Sequence, residues 1–229
     1  MTSTRADRTT ASRSDSFGAA DRAQTFLDWT RINARLVTIA TSVIIVAAAG
    51  YWFYLRSRQI QATNAERALL SAKQSMGAGN LPLAQTDLQK VINRYGSTPA
   101  GVEAALLTAQ ISYDQGKPQE GIDALKRATS ASGAAGMEPT LRSMVGDGYM
   151  QLAKPVEAAR EYEAASLASR LDNERIVYKA KAARAYSIGG DTAKARQFWE
   201  ALRDDPKAVA VAAEARVRLG ELTAQVAKK

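Results

Sequence analysis

The sequence has no cysteine and no histidine among its 229 residues. Disulfide bonds, thiol nucleophiles and Cys- or His-ligated zinc sites are therefore excluded. Catalytic triads and HExxH metalloprotease motifs are excluded as well, because both need an imidazole. The sequence also lacks a Walker loop and a dinucleotide-binding glycine fingerprint. Carboxylate, lysine or tyrosine chemistry stays possible, so an enzyme is the third alternative, but no constellation of carboxylates points to it. We expect a protein that is not an enzyme and that binds no cofactor, no metal and no small-molecule substrate.

Basic residues outnumber acidic ones, 31 to 23, which gives a net charge of +8. Half of the excess lies in residues 1–35 and at Arg56 and Arg58, on either side of one apolar segment, and Lys179, Lys181 and Arg184 form a small basic cluster further on. No exposed aromatic pattern or nucleic-acid motif accompanies it, so nucleic-acid binding is not expected.

One charge-free segment interrupts this polar chain, the twenty residues from Leu36 to Leu55, bounded by Arg35 and Arg56. Twenty helical residues at about 1.5 Å each span the roughly 30 Å core of a bilayer. The aromatic cluster at 51–54 is typical of a membrane interface. Two alternatives are a buried core helix and a cleaved signal peptide, although a signal peptide usually has a shorter apolar region followed by small residues. We predict a polar, disordered tail over 1–34 and a retained transmembrane helix over 35–56.

Charge does not decide the orientation of this helix, because three arginines lie close to it on each side. The part that follows, residues 57–229, is much longer than the part that precedes it, and large domains translocate largely regardless of charge.

The part after the apolar segment contains an internal repeat. Four small residues follow one another at intervals of 37: Ala84, Gly121, Ala158 and Ala195. Twelve positions before each stands another small residue, and four positions after each stands a large apolar one. The small columns predict two antiparallel helices that approach closely, and the large column fills the space behind them. A glycine five positions before the small residue is typical of a left-handed helix end, and Pro118 and Pro155 are typical of a helix start.

The whole chain is therefore expected to be all-α: a single transmembrane helix followed by an α-solenoid, without strands. The helix pairs are predicted over 62–96, 99–131, 138–169 and 174–205, and we expect a capping half repeat over 207–226 whose register continues to Gly220.

The repeat resembles the tetratricopeptide repeat, most closely in the third unit through Gly146, Tyr149, Ala158, Tyr162 and Ala165. The period of 37 exceeds the 34 residues of that family, so longer loops are expected, the most obvious place being 130–136. The resemblance implies a protein-binding surface lined by the first helix of each pair. Eight residues are its candidate members: Lys73, Met76, Gln110, Tyr113, Asp114, Asp147, Met150 and Arg184.

The order of tail, anchor and solenoid resembles the YfgM-like ancillary subunits of the bacterial SecYEG translocon. The resemblance extends over about residues 24–226 and includes Phe26 and Trp29 ahead of the anchor. It implies a single-pass protein of the bacterial inner membrane with its C-terminal domain in the periplasm, and partners among translocon subunits and periplasmic chaperones. A scaffold subunit of another envelope complex is the alternative that the sequence leaves open.

Overall fold

The computed structural model describes residues 33–227. In this part of the chain all regular elements are helical, and no strand occurs. The chain divides into two compact units, the first ending at Arg58 and the second beginning at Gln59. The polar tail and the aromatic residues Phe26 and Trp29 lie outside the described residues.

The first unit contains the start of helix α1, Ala34–Gly77, which is 44 residues long. This helix is long and apolar enough to cross a membrane, and none of its most apolar stretch is buried. Leu36, Val46 and Phe53, for example, are all exposed. A core helix of a soluble protein would bury such side chains, so that alternative for the apolar segment does not fit the structure.

The second unit contains the rest of α1 and eight further α-helices. They are α2 (Leu81–Tyr95), α3 (Pro99–Asp114), α4 (Pro118–Thr129), α5 (Glu138–Gln151), α6 (Pro155–Ala168), α7 (Asp172–Ile188), α8 (Thr192–Asp204) and α9 (Val209–Ala227). Consecutive helices pack against each other, so the predicted all-α solenoid of four helix pairs and a final helix is confirmed.

Connections between consecutive helices of the solenoid are three or four residues long except one. The exception joins α4 to α5 through residues 130–137 and contains a short 3-10 helix, Ser132–Ala134. The longer loop predicted at 130–136 is therefore confirmed. The expectation of longer loops between all helix pairs is wrong, because the other connections are short and the remaining residues of the 37-residue period lie in the helices.

The core of the solenoid is made by the repeated columns. The small residues Ala84, Ala158 and Ala195 are fully buried, and Gly121 is buried with them. The large residues four positions further on are buried as well: Leu88, Leu125, Tyr162 and Trp199. Small and large residues thus alternate as helix-pair packing requires, and this prediction is confirmed.

The turn inside each helix pair is the same four times. Gly79, Gly116 and Gly190 have φ angles of 75°, 70° and 78°, and Ala153 has φ 55° at the equivalent place in the third pair. In that turn the Ala153 N–H donates to Met150 O, and the Lys154 N–H donates to Tyr149 O. This is the left-handed helix end that glycine favours because it has no Cβ. In the third pair, alanine adopts the same backbone conformation although its Cβ disfavours a positive φ. Pro118 and Pro155 begin α4 and α6 as predicted.

The final helix packs in a different register from the one predicted. Gly220 was expected to continue the small column, but it is exposed, and nothing lies near the position of its missing Cβ. Ala215, Leu219 and Leu222 are the buried residues of α9 instead. The reason is physical: α9 packs by its own apolar face against α8, and that face does not contain Gly220.

Candidate protein-binding surface

The first helices of the pairs are joined side by side through charged side chains. We call this surface the first-helix face. It is the exposed surface of α1 from Gln59 onward, α3, α5, α7 and α9, and its centre is marked by Lys73, Gln110, Asp147 and Arg184. These four residues stand eleven positions before the small column that begins at Ala84. All are at least partly exposed, so this column of the predicted site lies on the surface.

Three ion pairs connect neighbouring first helices. Lys73 Nζ donates to Glu103 Oε1 at 2.5 Å, which joins α1 to α3. Arg184 donates through Nε to Glu214 Oε1 at 2.7 Å and through Nη2 to the other oxygen, which joins α7 to α9. This two-pronged hydrogen bond raises the pKa of Arg184 and lowers the pKa of Glu214, because each charge stabilises the other.

The third ion pair belongs to a small network between α5 and α7. Lys181 Nζ lies 2.9 and 3.1 Å from the two carboxylate oxygens of Asp147. The same ammonium donates to Ser143 Oγ at 3.1 Å, while the Tyr162 hydroxyl donates to Asp147 Oδ1 at 2.7 Å. Burial, and then the hydrogen bond to Asp147, raises the pKa of Tyr162. These residues hold the two helices in one relative position.

The ion pairs between first helices neutralise three cations but leave two carboxylates of this face without a charged partner. Lys73, Lys181 and Arg184 each have an acidic partner. Within the described part of the chain, Asp114 accepts only a neutral hydrogen bond, from Gln110 Nε2 at 3.1 Å. Glu66 forms no ion pair with any described residue and is exposed. A partner that approaches the face at Glu66 or Asp114 therefore meets an open carboxylate. Elsewhere on the same helices, Arg67, Lys179 and Arg216 also form no ion pair with a described residue.

A cleft of about 330 Å³ opens on this face where α1, α3 and the start of α5 meet. Leu69, Leu70 and Met137 form its apolar part, and Leu70 is exposed. Glu66, Lys73 and Glu103 form its polar edge. Among the predicted residues, only Lys73 lines this cleft.

Three of the predicted residues lie mainly in the core instead of on the face. Tyr113 is 8% exposed, and its hydroxyl donates to Met144 O at 2.8 Å. Met76 and Met150 are half-buried and pack against core clusters. The reason is helical geometry: each stands four positions after the small residue of its own first helix, so it points towards the same side as that residue. Burial raises the pKa of Tyr113.

Sequence reasoning missed the partners of the ion pairs, Glu103, Lys181 and Glu214. A signal for them exists, since each stands 30 or 34 residues from its partner, close to one repeat length. Opposite charges at that separation on first helices can meet across neighbouring pairs.

The fold identifies the class to which this protein belongs. Stacked helix pairs whose first helices present one continuous face form an α-solenoid, an architecture typical of protein–protein interaction scaffolds rather than of enzymes. Residues 28–143 and 66–184 match the family model described as a tetratricopeptide repeat-like domain, and the chain belongs to this family.

Two solved structures share the fold. Both are described as a putative kinesin light chain with nearly identical TPR-like repeats from Podosopora anserina, and one of them carries a single substitution. Their TM-scores are 0.51 and 0.52, each at 18% identity, and the likeness covers 73% of this chain and 94% and 95% of theirs. At this identity the likeness shows the fold alone. Comparison with curated proteins finds no match.

Proposed function

We propose that the protein is a membrane-anchored interaction scaffold whose first-helix face binds a protein segment with apolar and basic side chains. The observation that carries this proposal is the charge state of the face. The cations of its three inter-helix ion pairs are neutralised, while Glu66, beside the apolar cleft, and Asp114, at the opposite end of α3, remain open. An ordered row of first helices can recognise an extended or helical segment over several repeats.

The anchor part of the proposal rests on helix α1. Its large apolar side chains between Leu36 and Leu55 are exposed, with Tyr51, Trp52, Phe53 and Tyr54 at one end. Arg58 lies over the ring of Tyr54 at 5.1 Å, an arrangement suited to an interface between lipid and water. The family match begins at residue 28 and so includes this segment. Large apolar side chains that no described part of the chain covers are stable in a bilayer.

The finer proposal concerns the partner complex. We propose an ancillary role at the SecYEG translocon of the bacterial inner membrane, with the solenoid in the periplasm beside chaperones of exported proteins. The resemblance of the order of tail, anchor and repeats to YfgM-like subunits supports this role. A scaffold subunit of another envelope complex would use the same face, and the partner experiment separates the two.

The experiment compares two charge reversals in the full chain, purified from detergent-solubilised membranes with its bound proteins. Asp114→Lys changes the first-helix face, whereas Glu157→Lys changes an exposed residue of the second helix α6 and serves as the matched control. We expect Asp114→Lys to reduce recovery of the partner several-fold and Glu157→Lys to leave it unchanged. Equal recovery with both variants would refute binding at the face. Enrichment of another complex without Sec components would refute the translocon role alone.

A further inference from the structure

A second cleft, of about 430 Å³, lies on a different side of α3 from the cleft of the first-helix face. It opens between the second helices α2 and α4 and is lined by Gln89, Ile92, Asn93, Gly96, Gly101, Ala105, Ala124, Arg127, Ala128 and Ala131. We call it the α2–α4 cleft. Nothing in the proposed binding at the first-helix face uses it.

The repeat explains why this cleft is open. The residues that correspond to Ala105 and Ala124 one repeat later are Arg142 and Glu161. There the Arg142 guanidinium donates to Glu138 Oε1 at 2.8 Å and lies 3.5 Å from Glu161 Oε2. Charged side chains thus occupy in the third pair the place that alanine leaves open in the second.

One further repeat on, the corresponding residues are Lys179 and Phe198, which are also large. The open cleft is therefore a feature of the second pair and not of the repeat. Gly101 is small for a different reason, since a Cβ there would collide with the backbone of Tyr95. At Ala105 and Ala124 the second pair has small side chains, whereas the later pairs have large ones. These two positions therefore create the space.

The charged side chain that lines this cleft is a cation, Arg127. Arg127 is exposed, and no acidic side chain of the described residues pairs with it. On the opposite wall, Gln89 Nε2 donates to Asn93 Oδ1 at 2.9 Å, which leaves the amide nitrogen of Asn93 to donate outward. The floor is apolar, through Ile92, Ala124 and Ala128. Among the described residues that line the cleft, none is acidic.

We propose that the α2–α4 cleft is a second protein-binding site, which receives an acidic side chain flanked by apolar residues. A carboxylate there accepts hydrogen bonds from Arg127 and Asn93, and its apolar neighbours cover Ile92. The bound segment would fill the space beside Ala105 and Ala124 that Arg142 and Glu161 fill in the third pair. The proposal rests on the solenoid being a binding scaffold, but it requires a partner of opposite charge to the one proposed for the first-helix face.

The test uses the full chain in detergent micelles and two blocked peptides, acetyl-Leu-Glu-Leu-Leu-amide and the same peptide with glutamine in place of glutamate. Binding is followed by the methyl resonances of Ile92, Ala124 and Ala128. We expect saturable shifts with the glutamate peptide and an affinity about tenfold or more lower with the glutamine peptide, because a hydrogen bond between charged groups is lost.

Two variants complete the test. Arg127→Gln is expected to lower the affinity for the glutamate peptide about tenfold, whereas Arg160→Gln, an exposed cation on α6, leaves it unchanged. Equal affinity for the two peptides, an unaltered affinity in Arg127→Gln, or no saturable shift at millimolar peptide would overturn the proposal. None of these results bears on Asp114→Lys, so a failure here is distinct from a failure of the first-helix face.

Discussion

The ring of Tyr162 on α6 lies directly against Gly146 on α5. A Cβ atom added to Gly146 would stand 2.6 Å from Tyr162 Cε1, closer than atoms tolerate. These two residues stand twelve positions before and four positions after Ala158, so their contact is the repeat pattern realised in space. The close approach of the two helices of the third pair depends on it.

Replacing Gly146 with alanine should therefore destabilise the solenoid, although alanine is the better helix former. We expect a loss of about 1–3 kcal/mol of unfolding free energy from overpacking, which outweighs a gain of about 1 kcal/mol in helix propensity. Denaturant unfolding of the full chain measures the difference.

Gly220→Ala is the matched control for this substitution. It lies within helix α9 with open space around the missing Cβ, so it should stabilise the chain by about 0.5–1 kcal/mol. A Gly146→Ala variant as stable as Gly220→Ala would contradict the packing of the third pair.

The turn at Ala153 offers a substitution in the opposite direction. Ala153 has φ 55°, a left-handed conformation that is costly for residues with a Cβ. Ala153→Gly should raise the unfolding free energy by about 0.5–1 kcal/mol, since relief of this strain exceeds the added entropy of the unfolded chain. Gly116→Ala, at the equivalent turn with φ 70°, should lower it by a similar amount. Thermal unfolding that moves in the same direction for both variants would refute the equivalence of the turns.

Alkaline pH should destabilise the solenoid through its buried tyrosines. Burial raises the pKa of Tyr113, Tyr162 and Tyr186 in the folded state. A raised folded pKa means that the contribution to stability is complete below the unfolded pKa of about 10 and is lost as pH rises from there through the folded pKa. Each such tyrosine adds a slope of up to about 1.4 kcal/mol per pH unit in that window.

Tyr162→Phe isolates one of these contributions. The variant loses the hydrogen bond to Asp147, so it should be less stable than the wild type at neutral pH by about 1 kcal/mol. Its stability should then fall less steeply above pH ~10. Chemical denaturation at several pH values checks both points, and identical slopes for the two proteins would contradict the role of Tyr162.

The fold could be predicted from the sequence because the same spacing occurs four times. The columns through Ala84, Leu88 and their equivalents repeat at 37 residues, and each position has one environment in all pairs. The left-handed turns and the proline helix starts follow from residue type alone. Only Ala153 departs from the glycine rule, and its neighbours Met150 and Tyr149 hold it in the turn through backbone hydrogen bonds.

The candidate surface was predicted less completely. Spacing within one helix shows which residues share a side, but it does not show which side packs against the neighbouring helices. The sequence alone therefore did not separate the exposed column of Asp147 from its core neighbours, and Tyr113 was placed on the wrong side. Contacts between neighbouring pairs, such as Arg184 with Glu214, depend on how the helices are offset. The register of α9 follows its own apolar face through Ala215, Leu219 and Leu222, which no repeat column describes.

Protease accessibility of the solenoid in whole cells tests whether a membrane anchor over 36–55 holds the scaffold outside the cytoplasm. The full chain carries a C-terminal epitope, and its fragments are followed in intact cells, in cells with a permeabilised outer membrane, and in membrane and soluble fractions. We expect a full-length protein in the membrane fraction whose solenoid is digested only after the outer membrane is opened. A solenoid digested only after lysis of the inner membrane would contradict the orientation, and a soluble fragment that lacks the apolar segment would contradict the anchor.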